Sequence, residues 1–240
     1  GYNANDVVKE IQSSLKAYDL STKNSIKFTG EQEQQMKEMA FLSKALLIAV
    51  ALIIFIIVLQ FNAISTPFII GTSVFFSLIG VLLGLVIFQM DFVVMMTMIG
   101  IISLAGIVVN NAIVLIDYTD LVRVRKREEL GIQKGNYLAL PDLVASIVEA
   151  GKTRLRPVLL TAITTVLGLI PLAIGMNINF ATLLSEFDPQ FYVGGDNAAF
   201  WGPMAWTVIF GLTFATIITL VLVPVMYLLT DKLAIKLRRS

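Results

Sequence analysis

Two side chains that carry much of protein chemistry are missing from these 240 residues: there is no cysteine and no histidine. Without cysteine there is no disulfide framework, no Cys-type zinc site and no thiol nucleophile. Without histidine, Ser-His and Cys-His catalysis, His-ligated metals and haem with a His ligand are excluded. Charge is scarce too, at 15% of residues, where soluble domains carry about 25%. The net charge of +1 gives no basic surface that would point to nucleic acid. What is abundant is hydrophobic surface, 57% of residues with a mean hydropathy of +0.83. So little polar surface cannot clothe a globule of this size, which excludes a soluble protein.

The apolar residues come in long runs. A hydrocarbon core about 30 Å thick needs roughly 20 residues of helix, and five stretches meet that need: about 41–61, 67–88, 92–118, 157–176 and 203–229. Pro67 and Pro157 suit the first turns of the second and fourth spans. The fold class expected is therefore an all-α membrane protein of five transmembrane helices. A small α/β remnant stands at its N-terminus. Within residues 5–18, Val7, Val8, Ile11 and Leu15 share one helical face, and residues 25–29 alternate like a strand. The domain reading is 1–30 for that remnant and 31–240 for the transmembrane part, with a connection at 119–156. Within the connection, residues 141–151 read as a short amphipathic helix suited to the membrane surface.

Lys and Arg near span ends set orientation. Eight of them lie between Arg123 and Arg156, and four more lie in the tail from Lys232 to Arg239. The stretch from Asn177 to Gly202 has none, only Glu186, Asp188 and Asp196. The connection and the C-terminus are thus expected in the cytoplasm, and the N-terminus and the Asn177–Gly202 loop outside. The N-terminal region carries six lysines, but folded segments translocate largely regardless of charge. The chain opens on Gly1, not Met, and no charged n-region, short apolar core or cleavage site precedes the first element. The expectation is a C-terminal piece of a longer membrane protein, without a signal peptide.

Intramembrane polar groups are the default functional candidates, because hydrocarbon offers them no partner. None of the five runs has an ionisable group in its middle. On the third span, Ser103, Gly106, Asn110, Ile113 and Asp117 are spaced 3, 4, 3 and 4 and share one face. On the fourth, Arg154, Pro157, Thr161, Thr164 and Gly168 form a similar stripe. Seven residues, about 10.5 Å of helix, separate Asn110 from Asp117 and Arg154 from Thr161. Antiparallel packing would set Asn110 level with Thr161 and Asp117 level with Arg154, as one seam. The bland alternative is that such groups serve as packing glue, worth about 0.6 kcal/mol per hydrogen bond. That reading suits Thr72, Ser73, Ser77, Thr164 and Thr165. For Asn110 and Asn111 function is favoured, since adjacent amides are costly in lipid. For Asp117 and Arg154, anchoring at the interface and function stand even on the residues alone.

The segment Gly106-Ile-Val-Val-Asn-Asn-Ala-Ile-Val-Leu-Ile-Asp-Tyr118, with Arg154-Leu-Arg-Pro-Val-Leu-Leu-Thr161, Leu167-Gly-Leu-Ile-Pro-Leu172, Trp201-Gly-Pro-Met204 and Leu222-Val-Pro-Val-Met-Tyr227, resembles the resistance-nodulation-division (RND) multidrug efflux transporters. The closer likeness is to the AcrB-like hydrophobe/amphiphile exporter branch, and it covers nearly the whole chain. The resemblance implies the C-terminal part of a twelve-span inner-membrane protein whose N-terminal half is missing. It implies a secondary transporter rather than an enzyme: drug or amphiphile export by proton antiport, in a homotrimer with a periplasmic adaptor and an outer-membrane channel. The proton is the coupling ion and no cofactor is expected. Asn110, Asn111, Arg154 and Thr161 take the positions of a proton relay that faces carboxylates on the missing half; Asp117 joins them through the seam. One position departs from the pattern: where AcrB-like pumps usually carry lysine, this chain has Asn110, and an amide cannot supply that charge. The heavy-metal branch fits less well, since Met and acidic ligands are not clustered at metal-like spacing. A second reading is a membrane scaffold or translocation accessory of the SecD/SecF-like type. An intramembrane enzyme is disfavoured, because Gly194-Gly195-Asp196 lies in the outside loop rather than at membrane depth.

Overall fold

Five apolar runs should give five long helices, and the computed structural model has them. It describes residues 31–61, 65–132 and 138–239, together with residues 7, 10, 11 and 13–15. The elements are α1 (Glu31–Phe61), α2 (Ser65–Ile87), α3 (Val94–Glu129), α4 (Leu140–Ile174), β1 (Met176–Asn177), α5 (Phe180–Glu186), β2 (Tyr192–Val193) and α6 (Asp196–Arg239). The five long helices are each long and apolar enough to cross a bilayer. The chain divides into two units, Gly1–Lys37 and Glu38–Ser240, each taken by itself. In the first, residues 7, 10, 11 and 13–15 are helical. The strand expected at 25–29 lies outside the described residues.

In the second unit α6 is the hub, packed against α2, α3 and α4. Small residues make this possible. A Cβ on Gly211 would collide with Leu104 and Val81, and one on Gly84 with the ring of Phe210. Glycine at these points lets α6 approach α2 and α3 more closely than any side chain would allow. Among the described residues three core clusters lie in the bundle, one of them around Ala173, Ala205 and Ile209 beside Phe210. A second joins Leu104, Val108, Ala162 and Leu212; the third joins Ile57, Ile69, Ile116, Val223 and Tyr227. Most buried hydroxyls bond back to their own helix, whereas that of Thr97 has no partner among the described residues. Ser73 donates to Ile69 O at 3.3 Å, Ser77 to Val74 O at 2.6 Å and Thr216 to Leu212 O at 2.7 Å. These three sit at helix contacts but bond within their own helices, so Ser73 and Ser77 contribute small size rather than the hydrogen-bonding glue expected of them.

The helices outrun the spans read from hydropathy. The amphipathic stretch 141–151 is not a separate surface helix but the first three turns of α4. Likewise α3 continues to Glu129 and α6 starts at Asp196. Hydropathy registers where lipid begins, whereas a helix stops only where its hydrogen-bond ladder stops. Beyond the apolar run, α3 gains support from Arg123–Asp120 (3.3 Å) and Lys126–Glu129 (3.1 Å) ion pairs at i,i+3. Helix α4 ends at Gly175, whose φ of 66° is left-handed and whose N–H bonds back to Leu172 O at 3.3 Å. The chain then makes a two-stranded antiparallel sheet, with Met176 opposite Val193 and Asn177 opposite Tyr192. No sequence pattern here had marked that pairing.

Candidate functional site: the polar stripes of α3 and α4

Helices α3 and α4 pack side by side. One contact and one shared core cluster fix their register. The guanidinium of Arg154 lies over the ring of Tyr118, 4.3 Å from its centroid, and Ala162 shares a cluster with Val108. The helices therefore run antiparallel. Counting from the Arg154–Tyr118 contact, Asn110 is about 12 Å along α3 and Thr161 about 10.5 Å along α4. The two residues thus lie within about one residue's rise of each other.

The stripes are not buried between these helices. Ser103, Asn110 and Asp117 on α3 are exposed, and so are Pro157, Thr161 and Thr164 on α4. A Cβ added at Gly106 or Gly168 would meet nothing within 4 Å. The hydroxyls turn back to their own helix: Thr161 donates to Val158 O at 2.9 Å, Thr164 to Leu160 O at 2.9 Å and Thr165 to Thr161 O at 2.8 Å. Asn111 stands apart from its neighbour and is buried, 8% exposed. The face that carries Asn110 and Thr161 is thus left open by the described residues. At membrane depth it must meet either lipid or another helix.

Arg154 does not pair with Asp117. Its guanidinium is held by the Tyr118 ring, a contact worth about 0.5–2 kcal/mol, and its Nε is buried without a hydrogen-bond partner among the described residues. The sequence placed Arg154 and Asp117 at one level; one residue of rotation puts the aromatic ring under the cation instead. The Nε atoms of Arg123 and Arg127 are likewise buried without a partner, but Arg123 has two carboxylates beside it, whereas Arg154 has an aromatic ring.

A second polar cluster escaped the sequence reading. Where α3 and α6 leave the apolar zone, Arg123 reaches Asp231 at 2.8 Å and Asp120 at 3.3 Å. The Tyr227 hydroxyl stands between them, accepting from Arg123 and donating to Asp120. Each helix supplies two members, Asp120 and Arg123 at i,i+3 and Tyr227 and Asp231 at i,i+4. That spacing on two span ends was the available signal. The cluster clamps α6 to α3 and leaves the open face of α3 to other partners.

Comparison with known proteins finds relatives along nearly the whole chain. A family model described as the AcrB/AcrD/AcrF family matches residues 1–231. The swarming motility protein SwrC of Bacillus subtilis (strain 168) is 34% identical over 225 residues, 94% of this chain and 18% of that protein. The multidrug resistance protein MdtC of Proteus mirabilis (strain HI4320) is 26% identical over 233 residues, 96% of this chain and 19% of that protein. Among solved structures, crystal form I of a heavy metal efflux pump superposes with a TM-score of 0.69 at 26% identity, covering 96% of this chain and 20% of that one. The chain therefore spans about a fifth of the length of these relatives. A family of transporters does not favour the translocation-accessory alternative.

Proposed function

The chain belongs to the AcrB/AcrD/AcrF family of RND efflux transporters, and from that premise we propose that it is the C-terminal transmembrane part of a pump that expels amphiphilic compounds or drugs in exchange for protons. The observation that carries this reading is the open polar face of α3 and α4. It presents Asn110 and Thr161 at one level, with the incompletely satisfied Arg154 about two turns away. A proton carrier needs a group that changes charge within the membrane. On this reading the carboxylates belong to the other half of the transporter and dock on this face.

When ionised, those carboxylates accept hydrogen bonds from the amide of Asn110 and from the hydroxyl of Thr161, which rotates away from Val158 O to donate, and they draw on the charge of Arg154. On protonation the charge-assisted bonds weaken to neutral ones of roughly half the strength. The helices are then free to shift against each other. Asn110 supplies two N–H donors but no charge, so Arg154 is the fixed cation of the relay. Asn111, buried on the far side of its neighbour, orients Asn110 through the backbone rather than touching the acids. Asp117, exposed toward the end of the stripe, lies on the proton path to the cytoplasm. The heavy metal efflux pump and MdtC are each 26% identical to this chain. The name of MdtC, a multidrug resistance protein, supports the drug class for this chain. By the distribution of Lys and Arg, the C-terminus is cytoplasmic and the Asn177–Gly202 loop periplasmic. The inner membrane, a homotrimer, a periplasmic adaptor and an outer-membrane channel complete the proposal.

The test is drug efflux by the complete transporter carrying Asn110→Ala, Thr161→Ala or Arg154→Ala. Efflux should slow by about tenfold or more in each, equivalent to about 1.4 kcal/mol of lost coupling. Wild-type efflux in all three variants, at equal expression, would refute the relay.

A further inference from the structure

The segment between α4 and α6 has an unusual surface. Leu184 is 82% exposed and Phe187 89%, and Phe191, Tyr192 and Val193 are each more than half exposed. Five large apolar side chains within ten residues are thus turned outward, in a segment too short to hide them. Water is a poor solvent for such a rim.

The backbone beneath them is held by hydrogen bonds. Asn177 donates through Nδ2 to Gly175 O at 2.7 Å and to Gly194 O at 3.0 Å, closing the base of the hairpin. Asn179 N–H reaches Pro189 O at 3.0 Å, and Gln190 N–H reaches the Asp188 carboxylate at 3.1 Å. Phe187 itself has a φ of 56°, the left-handed region that a bulky side chain seldom adopts. The chain holds an unfavourable backbone conformation at the very residue whose ring is most exposed. That arrangement is costly in water and sensible only if the ring has somewhere to go.

Place in the fold indicates where. The segment leaves α4 at Gly175, the end of an apolar helix, and returns into α6 beside Phe200 and Trp201, which are exposed and packed edge to face with centroids 5.0 Å apart. Aromatic residues at a span end mark the headgroup level of a bilayer. The apolar rim is therefore continuous with the surface that the spans present to lipid. We propose that residues 184–193 form an interfacial anchor, with Leu184, Phe187 and Phe191 seated among the headgroups and upper acyl chains of the leaflet at which α4 ends. Glu186 and Asp188 project from the same segment, and the segment carries no Lys or Arg, so its attachment is apolar rather than electrostatic. The anchor would fix the height of α4 and α6 in the membrane while the polar faces of α3 and α4 work.

The test uses the complete transporter, in a cysteine-free background, reconstituted in vesicles of phosphatidylethanolamine and phosphatidylglycerol. A nitroxide is attached at Phe187→Cys or, independently, at Leu184→Cys, and its collision rates with oxygen and with a water-soluble nickel chelate are compared. An interfacial anchor predicts oxygen accessibility above nickel accessibility at both sites, with the balance unchanged by high salt. It predicts the reverse at Glu186→Cys. Nickel accessibility above oxygen accessibility at both apolar sites would overturn the anchor in favour of a water-exposed loop. Low accessibility to both reagents would overturn it in favour of cover by another part of the transporter.

Discussion

At the scale of single residues, what matters is where a polar group finds its partner. The intramembrane hydroxyls of Ser73, Ser77 and Thr216 bond back to carbonyls one turn away and ask nothing of the rest of the protein. Arg123 is the opposite case, since it needs side chains from two helices. Replacing Tyr227 by Phe keeps the packing but removes the hydroxyl between Asp120 and Arg123. The expected loss is about 1 kcal/mol, at the low end for a buried hydrogen-bonded group because the Asp120 carboxylate is nearly half exposed. Thermal unfolding of the purified transporter in detergent would report it. Removing Arg123 should cost more, because Asp231 would be left half buried and uncompensated. Asp231→Asn in the Arg123→Ala background should recover part of the loss.

Among the helices, the decisive contacts are those where side chains are absent. Gly84 and Gly211 set the distance of α6 from α2 and α3. Gly211→Leu should therefore destabilise the bundle by about 1–3 kcal/mol, the range for overpacking, read as a lower unfolding temperature. Gly106→Ala, on the open face of α3, should not destabilise the bundle by itself, because nothing lies within 4 Å of its added methyl and alanine favours the helix. In the complete transporter the same change should lower efflux if another helix docks there. A methyl that is silent in one form and costly in the other would locate the docking face without any assumption about protons.

Taken whole, the bundle is amphipathic in an inverted sense. Its core around α6 is mostly apolar with buried hydroxyls such as Thr207 and Thr216, and part of its outer face is polar. A face of that kind is unfavourable against hydrocarbon, so on the proposed reading it is where the rest of the transporter docks. A cysteine at Asn110 should react readily with a membrane-permeant maleimide in the isolated chain in micelles and be protected in the complete transporter. Ala112→Cys, in the buried core next to it, should be protected in both. Equal reaction at position 110 in the two forms would mean that lipid, not protein, covers the stripe.

The amino-acid sequence by itself determined the class, because five runs of apolar residues admit few structures other than membrane-spanning helices. It also set the periodicity of the stripes, since 3.6 residues per turn puts Ser103, Asn110 and Asp117 on one face whatever surrounds them. Helix ends were less legible: hydropathy sees the edge of the lipid, whereas α3 and α4 continue on ion pairs and local hydrogen bonds. Only the tertiary structure decided which neighbour each polar group meets. Arg154 turns to Tyr118 rather than Asp117, Tyr227 crosses to Arg123 from over a hundred positions away, and β1 pairs with β2. Such choices depend on rotation and depth between helices to within one residue, which periodicity along a single helix does not contain.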